Sequence, residues 1–271
     1  DRFGFVIRDH DSEWYYLNGN QIMMVLTEFL LEKKQIQNEL SPNCFIASTI
    51  VSTPLIEKIA LAYGIQYKST LTGFKWIAKL IEDFPELDFI CGGEESYGFL
   101  IGKSVRDKDA ISGSLLACEI ANEAKQKGSS FFDYLITCYK KYGAYKERLV
   151  SVAKKGKAGL AQIAQQMEDF RTHPPKNMGG SPVTRIEDYL NLEVHNFETN
   201  QKQQLNFSPS NVLIFKLQDG SVIALRPSGT EPKIKYYFSV NQAFDPQLSW
   251  KEQESILEKR LDTLVLSTLP S

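Results

Sequence analysis

What most constrains this chain is an alternation of two hydrophobic periods over residues 21–127. From Gln21 the apolar residues Ile22, Val25, Leu26, Phe29 and Leu30 recur at helical spacing and predict a helix with one broad buried stripe. Cys44 to Val51 is then a nearly unbroken apolar and β-branched run, as expected of a strand covered on both faces in a parallel sheet. A second helix follows: Thr53 caps it, Pro54 suits its first position, Ile56, Ile59, Ala60 and Tyr63 form its inner face, and Gly64 ends it left-handed. Ile65 to Lys68 reads as a short strand, Phe74, Ile77, Ala78 and Ile81 as a helix stripe, and Leu87 to Cys91 as another buried strand. Gly92 to Asp109 reads as the loop after that strand, and a helix from about Ile111 to Lys127 closes the unit. Strand and helix in alternation specify a layered α/β domain, whose ligands sit at loops beyond the carboxyl ends of the strands.

Beyond Gly143 the pattern changes. Tyr145 to Val152 predicts a strand and Leu160 to Phe170 a helix, while His173 to Pro182 is dense in Pro and Gly and reads as loop. Val212 to Leu217 and Val222 to Leu225 flank Asp219-Gly220, a strong hairpin signal. Ile234, Tyr236, Phe238 and Val240 alternate like a half-buried strand, and a last helix places Trp250, Leu257, Leu261 and Leu264 on one side. The second unit is thus expected to be α+β with an antiparallel sheet. A chain of 271 residues is long enough for two such domains.

Thirty-one basic and 33 acidic residues leave a net charge of −2, which gives no global field for drawing in nucleic acid or an anionic membrane. Cys44, Cys91, Cys118 and Cys138 are widely spaced with no C-x-x-C pair, so neither a zinc site nor a disulfide framework is expected. No apolar run approaches the roughly 20 residues a membrane helix needs, and no leader is recognisable, so a cytoplasmic protein is the expectation. The chain starts at Asp1 and already reads as strand from Phe3 to Ile7, which makes it an expected part of something longer.

Three polar segments can carry chemistry. Glu94 and Glu95 lie beside Gly92 and Gly93 and before Ser96, on a loop after a buried strand. Carboxylates there suit sugar hydroxyls or, if dry, general acid/base work, and they equally suit a solvated acidic turn. Adjacent carboxylates do not form a glycosidase pair, which must flank a bond at about 5 Å or more. Arg226-Pro-Ser-Gly-Thr-Glu-Pro is sharper: backbone N–H groups around Gly229, the hydroxyls of Ser228 and Thr230 and the guanidinium of Arg226 together fit a phosphate, with Lys233 and Lys235 raising the local potential. An ordinary Pro/Gly turn is the competing reading. Thr70, Thr72, Gly73 and Lys75 open a helix whose free N–H groups can meet an anion, although Thr before a helix is usually a cap. Arg106-Asp107-Lys108-Asp109 has alternating charges, as in a solvated loop.

Together these segments resemble the α-D-phosphohexomutase superfamily. Gly93-Glu94-Glu95-Ser96-Tyr97-Gly98 resembles the sugar-binding loop of phosphoglucomutase-type enzymes, and Arg226-Pro-Ser-Gly-Thr-Glu-Pro-Lys-Ile-Lys the phosphate-binding loop of the family's last domain. Leu71-Thr72-Gly73-Phe74-Lys75, Arg106-Asp107-Lys108-Asp109 and the run Ser48 to Ile59 are also similar to family segments, in the same chain order. Asp1-Arg2-Phe3-Gly4 looks like the tail of the family's magnesium loop, D-x-D-x-D-R.

The resemblance implies residues 1–16 as the end of a metal-loop domain, 17–144 as the third domain and 145–271 as the fourth, with a TATA-binding-protein-like fold. It implies a reaction that moves a phosphoryl group between the C1 and C6 hydroxyls of a hexose through a bisphosphorylated sugar, with magnesium and a glucose 1,6-bisphosphate-type activator. By the same resemblance Glu94, Glu95, Ser96, Thr72, Gly73, Lys75 and Arg106 would hold the sugar, and Arg226, Ser228, Gly229, Thr230 and Lys235 the non-reacting phosphate. Lys108 and Arg2 would assist catalysis and Asp1 would be one of three aspartate ligands. The other two, and the serine that carries the phosphate, would lie in an N-terminal half, so the isolated chain is expected to be inactive. Glu-Glu-Ser resembles the glucose-type branch, and Tyr97 with Val105-Arg106-Asp107-Lys108-Asp109-Ala110 the subgroup of phosphopentomutase-like and glucose 1,6-bisphosphate synthase-like members. A non-catalytic phosphosugar-binding module is the alternative.

Overall fold

In the computed structural model, residues 1–229 and 231–269 are described, the side chain of Lys157 apart, and they divide into two units, Asp1–Gly143 and a second that starts at Ala144.

The first unit begins with an antiparallel hairpin, Val6–Arg8 (β1) and Trp14–Tyr16 (β2), so the strand expected over Phe3–Ile7 starts three residues later. Its aromatics hold it down: Phe5 meets Phe131 and Tyr15 meets Phe132 edge-on, each at 5.2 Å. Gly19–Ile36 (α1) follows, started by a capping box in which the Asn18 side chain accepts from the Gln21 N–H and the Gln21 side chain accepts from the Asn18 N–H. The helix is buried nearly all round from Gly19 to Phe29, and at its far end Leu31 is buried where Leu30 was expected. A single stripe was too narrow a reading, because α1 lies between the sheet and other helices.

Cys44–Thr49 (β3) is buried at all six positions. Leu55–Ala62 (α2) begins one residue after the expected Pro54, with the Thr53 hydroxyl accepting from the Leu55 N–H at 3.4 Å, and Gly64 is left-handed as its position required. Gln66–Thr70 (β4), Phe74–Asp83 (α3), Asp88–Glu94 (β5) and Gly98–Ile101 (β6) complete a sheet of order β4-β3-β5-β6. β3 is parallel to β4 and β5, and β6 runs antiparallel to β5. The loop expected over Gly92–Asp109 is therefore corrected: β5 continues to Glu94 and β6 turns back along it. Two glycines ended the apolar run at Cys91, yet close packing demands them. A Cβ on Gly92 would stand 3.0 Å from Ala47 O, and one on Gly93 2.8 Å from Met23 Sδ. α3 packs Phe74, Ile77 and Ile81 on one face of the sheet against Phe45, Ala47, Phe89 and Leu100. On the other face α1 brings Met23 to Gly93 and Thr27 to Cys91.

Ala110–Gln126 (α4), capped by Asp109, is followed by a helix the sequence reading missed, Phe131–Tyr142 (α5). α5 and α2 are tied to α1 through Glu28, a buried carboxylate that accepts from Tyr142 Oη at 2.5 Å, Lys141 Nζ at 2.8 Å and Tyr63 Oη at 3.0 Å. A second capping box starts α5: Asp133 accepts from the Ser130 N–H at 2.9 Å and Ser130 Oγ at 2.7 Å, and lies 2.7 Å from His10 Nε2. The Ser130 hydroxyl, then His10, hold the Asp133 carboxyl at about 2, below its ordinary 3.8. A depressed carboxylate pKa contributes stability above the ordinary value that disappears as the pH falls through the folded one. Asp133→Asn is accordingly expected to cost about 1 kcal/mol at pH 7 and to flatten the decline in stability between pH 4 and 2; urea unfolding across that range checks it, and an unchanged acid limb would sink it.

The second unit contains Ala144–Ala153 (β7), Gly156–Thr172 (α6), Asn177–Met178 (β8), Ser181–Asp188 (β9), Glu193–Asn196 (β10), Gln201–Gln204 (β11), Leu213–Leu217 (β12), Val222–Pro227 (β13), Lys233–Gln242 (β14) and Trp250–Thr268 (α7). Its antiparallel sheet has the order β11-β10-β9-β12-β13-β14-β7, with β8 paired to β9. Asp219-Gly220 makes the β12–β13 turn as expected, with Gly220 at φ +82. His173–Pro182 is not wholly loop, since β8 and the first residues of β9 form a tight hairpin within it. α7 buries Leu257, Leu261 and Leu264 against β7 and β14. The four cysteines are free, and among the described residues no helix is long and apolar enough to cross a membrane.

Candidate functional site

Parallel strands β3, β4 and β5 end at Thr49, Thr70 and Glu94, which brings the loops after them to one edge of the first unit's sheet. There Glu94 and Glu95, adjacent in sequence, diverge. Glu94 is buried and its Oε1 accepts from the Gly73 N–H at 3.0 Å, at the start of α3, while its Oε2 accepts from Ser96 Oγ at 3.4 Å. Two contacts leave acceptor capacity on a carboxylate with about four lone-pair sites. Glu95 turns to the β3–α2 loop, where its Oε2 accepts from Ser52 Oγ at 3.0 Å and Thr49 Oγ1 at 3.2 Å. Burial pushes the Glu95 carboxyl above its ordinary pKa, against the opposing pull of its hydrogen bonds.

The turn between β5 and β6 is a three-residue hairpin loop, Glu95-Ser96-Tyr97, with Tyr97 left-handed at φ +68. Phe3 N–H donates to Tyr97 O at 3.2 Å, which lays the first residues of the chain along the turn. Lys108 runs its stem over Gly98, where a Cβ would stand 2.7 Å from its Cδ. Its ammonium lies 2.8 Å from Asp107 Oδ1, 3.5 Å from Asp1 Oδ1 and 5.1 Å from the Phe74 ring centroid. Lys75 and Arg106 line an open groove of about 580 Å³ together with Trp76, Lys79, Glu82 and Asp107. Thr72 is half-buried in the loop before α3, and Gly73 is that helix's N-cap. Arg2 is exposed. The first unit thus brings Asp1, Lys108, Gly73, Glu94, Glu95 and Ser96 around one sheet edge. Gly19, Thr49 and Ser52 hold the turn; Gly19 carried no signal in the sequence, while Thr49, at the end of β3, and Ser52 lie in the run Ser48 to Ile59 that resembles a family segment without being assigned a role there.

In the second unit Arg226 on β13 lies directly opposite Lys235 on β14, so both side chains project from one face of the sheet. Among the described residues neither side chain has a carboxylate partner. Between the strands Ser228 N–H donates to Lys233 O at 2.7 Å, and Ser228 Oγ accepts from the Glu231 N–H at 3.3 Å. Among the described residues, its chain neighbours apart, nothing lies within 4 Å of where a Cβ on Gly229 would stand. Thr230 lies outside the described residues. Like charges facing each other across a ladder repel, and an anion on that face removes the penalty.

The residues present do not make a magnesium site by themselves. Among the described residues no group of three or more His, Cys, Asp or Glu side chains can hold a metal ion, and the Asp1 carboxylate is next to Lys108.

Residues 18–141 match the family model described as phosphoglucomutase/phosphomannomutase, alpha/beta/alpha domain III, and residues 150–242 match the C-terminal domain of the same family. The phosphoglucomutase of Staphylococcus aureus (strain N315) is 38% identical over 242 residues, covering 89% of this chain and 43% of the relative, and that of Staphylococcus epidermidis is equally similar. The chain therefore spans less than half the length of the curated relatives it matches. Among solved structures, parafusin from Paramecium, an exocytosis-sensitive phosphoprotein also named as a phosphoglucomutase, aligns with a TM-score of 0.61 at 18% identity over 95% of this chain and 43% of its own. A phosphoglucomutase/phosphomannomutase family protein from Burkholderia thailandensis aligns with a TM-score of 0.53 at 12% identity over 97% of this chain and 44% of its own. At these identities the structures speak for the fold, an α/β/α unit followed by one with a large antiparallel sheet, and with the two family models they place the chain in the phosphoglucomutase/phosphomannomutase family of the α-D-phosphohexomutases.

Proposed function

We propose that this chain is the substrate-recognition half of a phosphosugar mutase that interconverts hexose 1-phosphate and hexose 6-phosphate, glucose-type, through a bisphosphorylated intermediate. The observation that supports it most is that the chain carries two grips of different chemistry. One is a buried carboxylate with spare acceptor capacity at a sheet edge, and the other is a cation pair without a counter-charge among the described residues. Sugar hydroxyls suit the first and a phosphate the second.

In this reading residues 1–16 end a metal-loop domain, 17–144 form the sugar-binding domain and 145–271 the phosphate-binding domain. An N-terminal half of the same protein supplies the phosphoserine. Glu94 and Ser96 hold ring hydroxyls that remain equivalent when the sugar turns over, and Gly73, by donating to Glu94, fixes that carboxylate. Thr72, Lys75 and Arg106 border the sugar. Arg226, Ser228, Gly229, Thr230 and Lys235 hold whichever phosphate is not reacting. Lys108 places a positive charge beside Asp1 and the turn, suited to stabilising charge at the reacting oxygen, with Arg2 nearby in sequence. A magnesium ion would take Asp1 as one ligand and two carboxylates from upstream; a glucose 1,6-bisphosphate-type activator would prime the serine. The cytoplasm, which keeps thiols reduced, suits the four free cysteines.

A coupled assay on the full-length protein, with glucose 1-phosphate and ribose 1-phosphate compared, tests the proposal. Turnover of the hexose phosphate is expected. Faster turnover of ribose 1-phosphate would move it to the phosphopentomutase branch, and inactivity towards every phosphosugar with retained binding would leave a sensing module instead. Glu94→Gln is expected to change the preference among sugar phosphates while leaving affinity for inorganic phosphate intact. A parallel loss of both would contradict the division of labour.

A further inference from the structure

Glu95 was grouped with Glu94 and Ser96 as a sugar ligand, but its surroundings differ from theirs. Its Oε2, Ser52 Oγ and Thr49 Oγ1 form a closed triangle of contacts at 3.0, 3.2 and 2.9 Å, and the Glu95 N–H donates to the same Ser52 Oγ at 3.2 Å. One side chain is therefore braced on the β3–α2 loop through both its backbone and its carboxyl. The other side of the turn is pressed as closely. A Cβ on Gly19 would stand 2.0 Å from Glu95 O, which leaves no slack between α1 and the turn.

The turn also holds strain. Tyr97 has φ +68 without being glycine, at a cost of about 1 kcal/mol or more. Such a conformation persists only where its surroundings over-determine it. The Thr49–Ser52–Glu95 triangle supplies that constraint, since it fixes the first residue of the three-residue loop.

We infer that Glu95 is a positioning residue and not a sugar ligand: braced on Thr49 and Ser52, it sets the height at which Glu94 and Ser96 meet the sugar. The inference rests on the functional reading above for the identity of the ligand, and on the described geometry alone for the brace.

Proton counting adds a property that a ligand would not have. Three oxygen–oxygen contacts close the triangle, but the two hydroxyls bring only two protons. The third contact becomes a hydrogen bond when the carboxyl itself carries a proton. Among the described residues no cation pairs with Glu95: Thr49, Ser52 and Gly19 are uncharged and Glu94 is another carboxylate. Burial, the largest influence, raises the pKa of Glu95, and the hydrogen bonds donated by Ser52 and Thr49 oppose it without reversing it. A group whose folded pKa is raised contributes fully below its ordinary value and loses that contribution as the pH rises through the folded one. Protonation thus closes the triangle at low pH, and ionisation exchanges its third contact for two hydrogen bonds donated to a carboxylate, so the brace differs between the two forms.

The test titrates glucose 6-phosphate and mannose 6-phosphate calorimetrically into the full-length protein and its Glu95→Gln and Glu95→Ala variants, from pH 5 to 8. The ratio of the mannose 6-phosphate to the glucose 6-phosphate dissociation constant cancels the titration of the phosphate common to both sugars. Glu95→Gln, which can both donate and accept, is expected to hold the ratio that the wild type shows at pH 5 over the whole range. Glu95→Ala is expected to lower the ratio about tenfold, the consequence of one lost hydrogen-bonded constraint, with affinity for inorganic phosphate unchanged. Equal losses in the Gln and Ala variants would make Glu95 a direct ligand and overturn the inference, as would an unchanged ratio in Glu95→Ala. If the wild type binds neither sugar, the functional reading fails separately, and ligand-free amide spectra decide the brace: resonances of residues 96–98 are expected to move in Glu95→Ala and hold in Glu95→Gln, and the reverse sinks it. Should Glu95→Ala not fold, Ser52→Ala removes three of the brace's four contacts and is expected to move both readouts in the same direction.

Discussion

Gly19→Ala is expected to destabilise the protein by about 3 kcal/mol, the upper end of what overpacking in a close-packed interior costs, although residue preference alone points the other way. Gly19 is the first residue of α1, and alanine is favoured over glycine inside helices by up to about 1 kcal/mol. Sterics decide instead. A Cβ there would stand 2.0 Å from Glu95 O, 2.7 Å from Glu95 C and 2.8 Å from Tyr97 N, all backbone atoms that no side-chain rotation can move aside. Either the start of α1 or the turn must shift, and the turn is braced on its far side by Thr49 and Ser52. The same displacement would carry Glu94 away from the Gly73 N–H, so lost sugar discrimination is expected alongside lost stability. Urea unfolding of the variant checks the first effect. A variant more stable than wild type would show that the turn yields freely, and would weaken the case for a rigid sugar loop.

That glycine also marks where sequence reading stopped. The helices and buried strands of the first unit were legible because period and burial coincide: β3 is apolar and buried throughout, and α3 sets Phe74, Ile77 and Ile81 on its inner face. β6 was not legible. Gly92 and Gly93 interrupt the apolar run that continues structurally to Glu94, since backbones and Met23 approach too closely there for side chains. The same reason hides Gly19, whose role depends on a turn more than 70 residues later in the chain. In the second unit the Asp219-Gly220 turn and the existence of β14 were plain, but β14 is not the half-buried strand that its alternation predicts, since Tyr236 to Val240 are buried at five consecutive positions. β10 and β11 were not plain, because an exposed run such as Gln201–Gln204 acquires its strand only by pairing.

The site shows the same split between type and direction. Residue type announced that Glu94 and Glu95 suit hydroxyls and that Arg226 and Lys235 suit an anion. Direction was invisible: consecutive carboxylates at a strand end face different loops, one towards Gly73 and the other towards Thr49 and Ser52. Pairing was equally invisible, since Arg226 and Lys235 become neighbours only through the register of β13 on β14.

Arg226→Ala is expected to weaken binding of a phosphosugar by about 1.5 to 3 kcal/mol, the range for a hydrogen bond to a charged group, or roughly tenfold to 150-fold. Its effect on folding should be the opposite in kind. Arg226 faces Lys235 across the ladder with no carboxylate partner among the described residues, so removing it relieves a like-charge pair and leaves stability unchanged or slightly raised. Binding and stability therefore separate in one variant, which excludes general unfolding as the cause of lost affinity. Arg226→Lys retains the charge but not the planar fork, and is expected to lie between the two. Raised salt should narrow the difference between wild type and Arg226→Ala, because part of the attraction is a screened charge term. Calorimetry with glucose 6-phosphate on the full-length protein measures all three, and unchanged affinity in Arg226→Ala would remove this face from the phosphate grip and leave the uncompensated cation pair without a purpose in the proposed reaction.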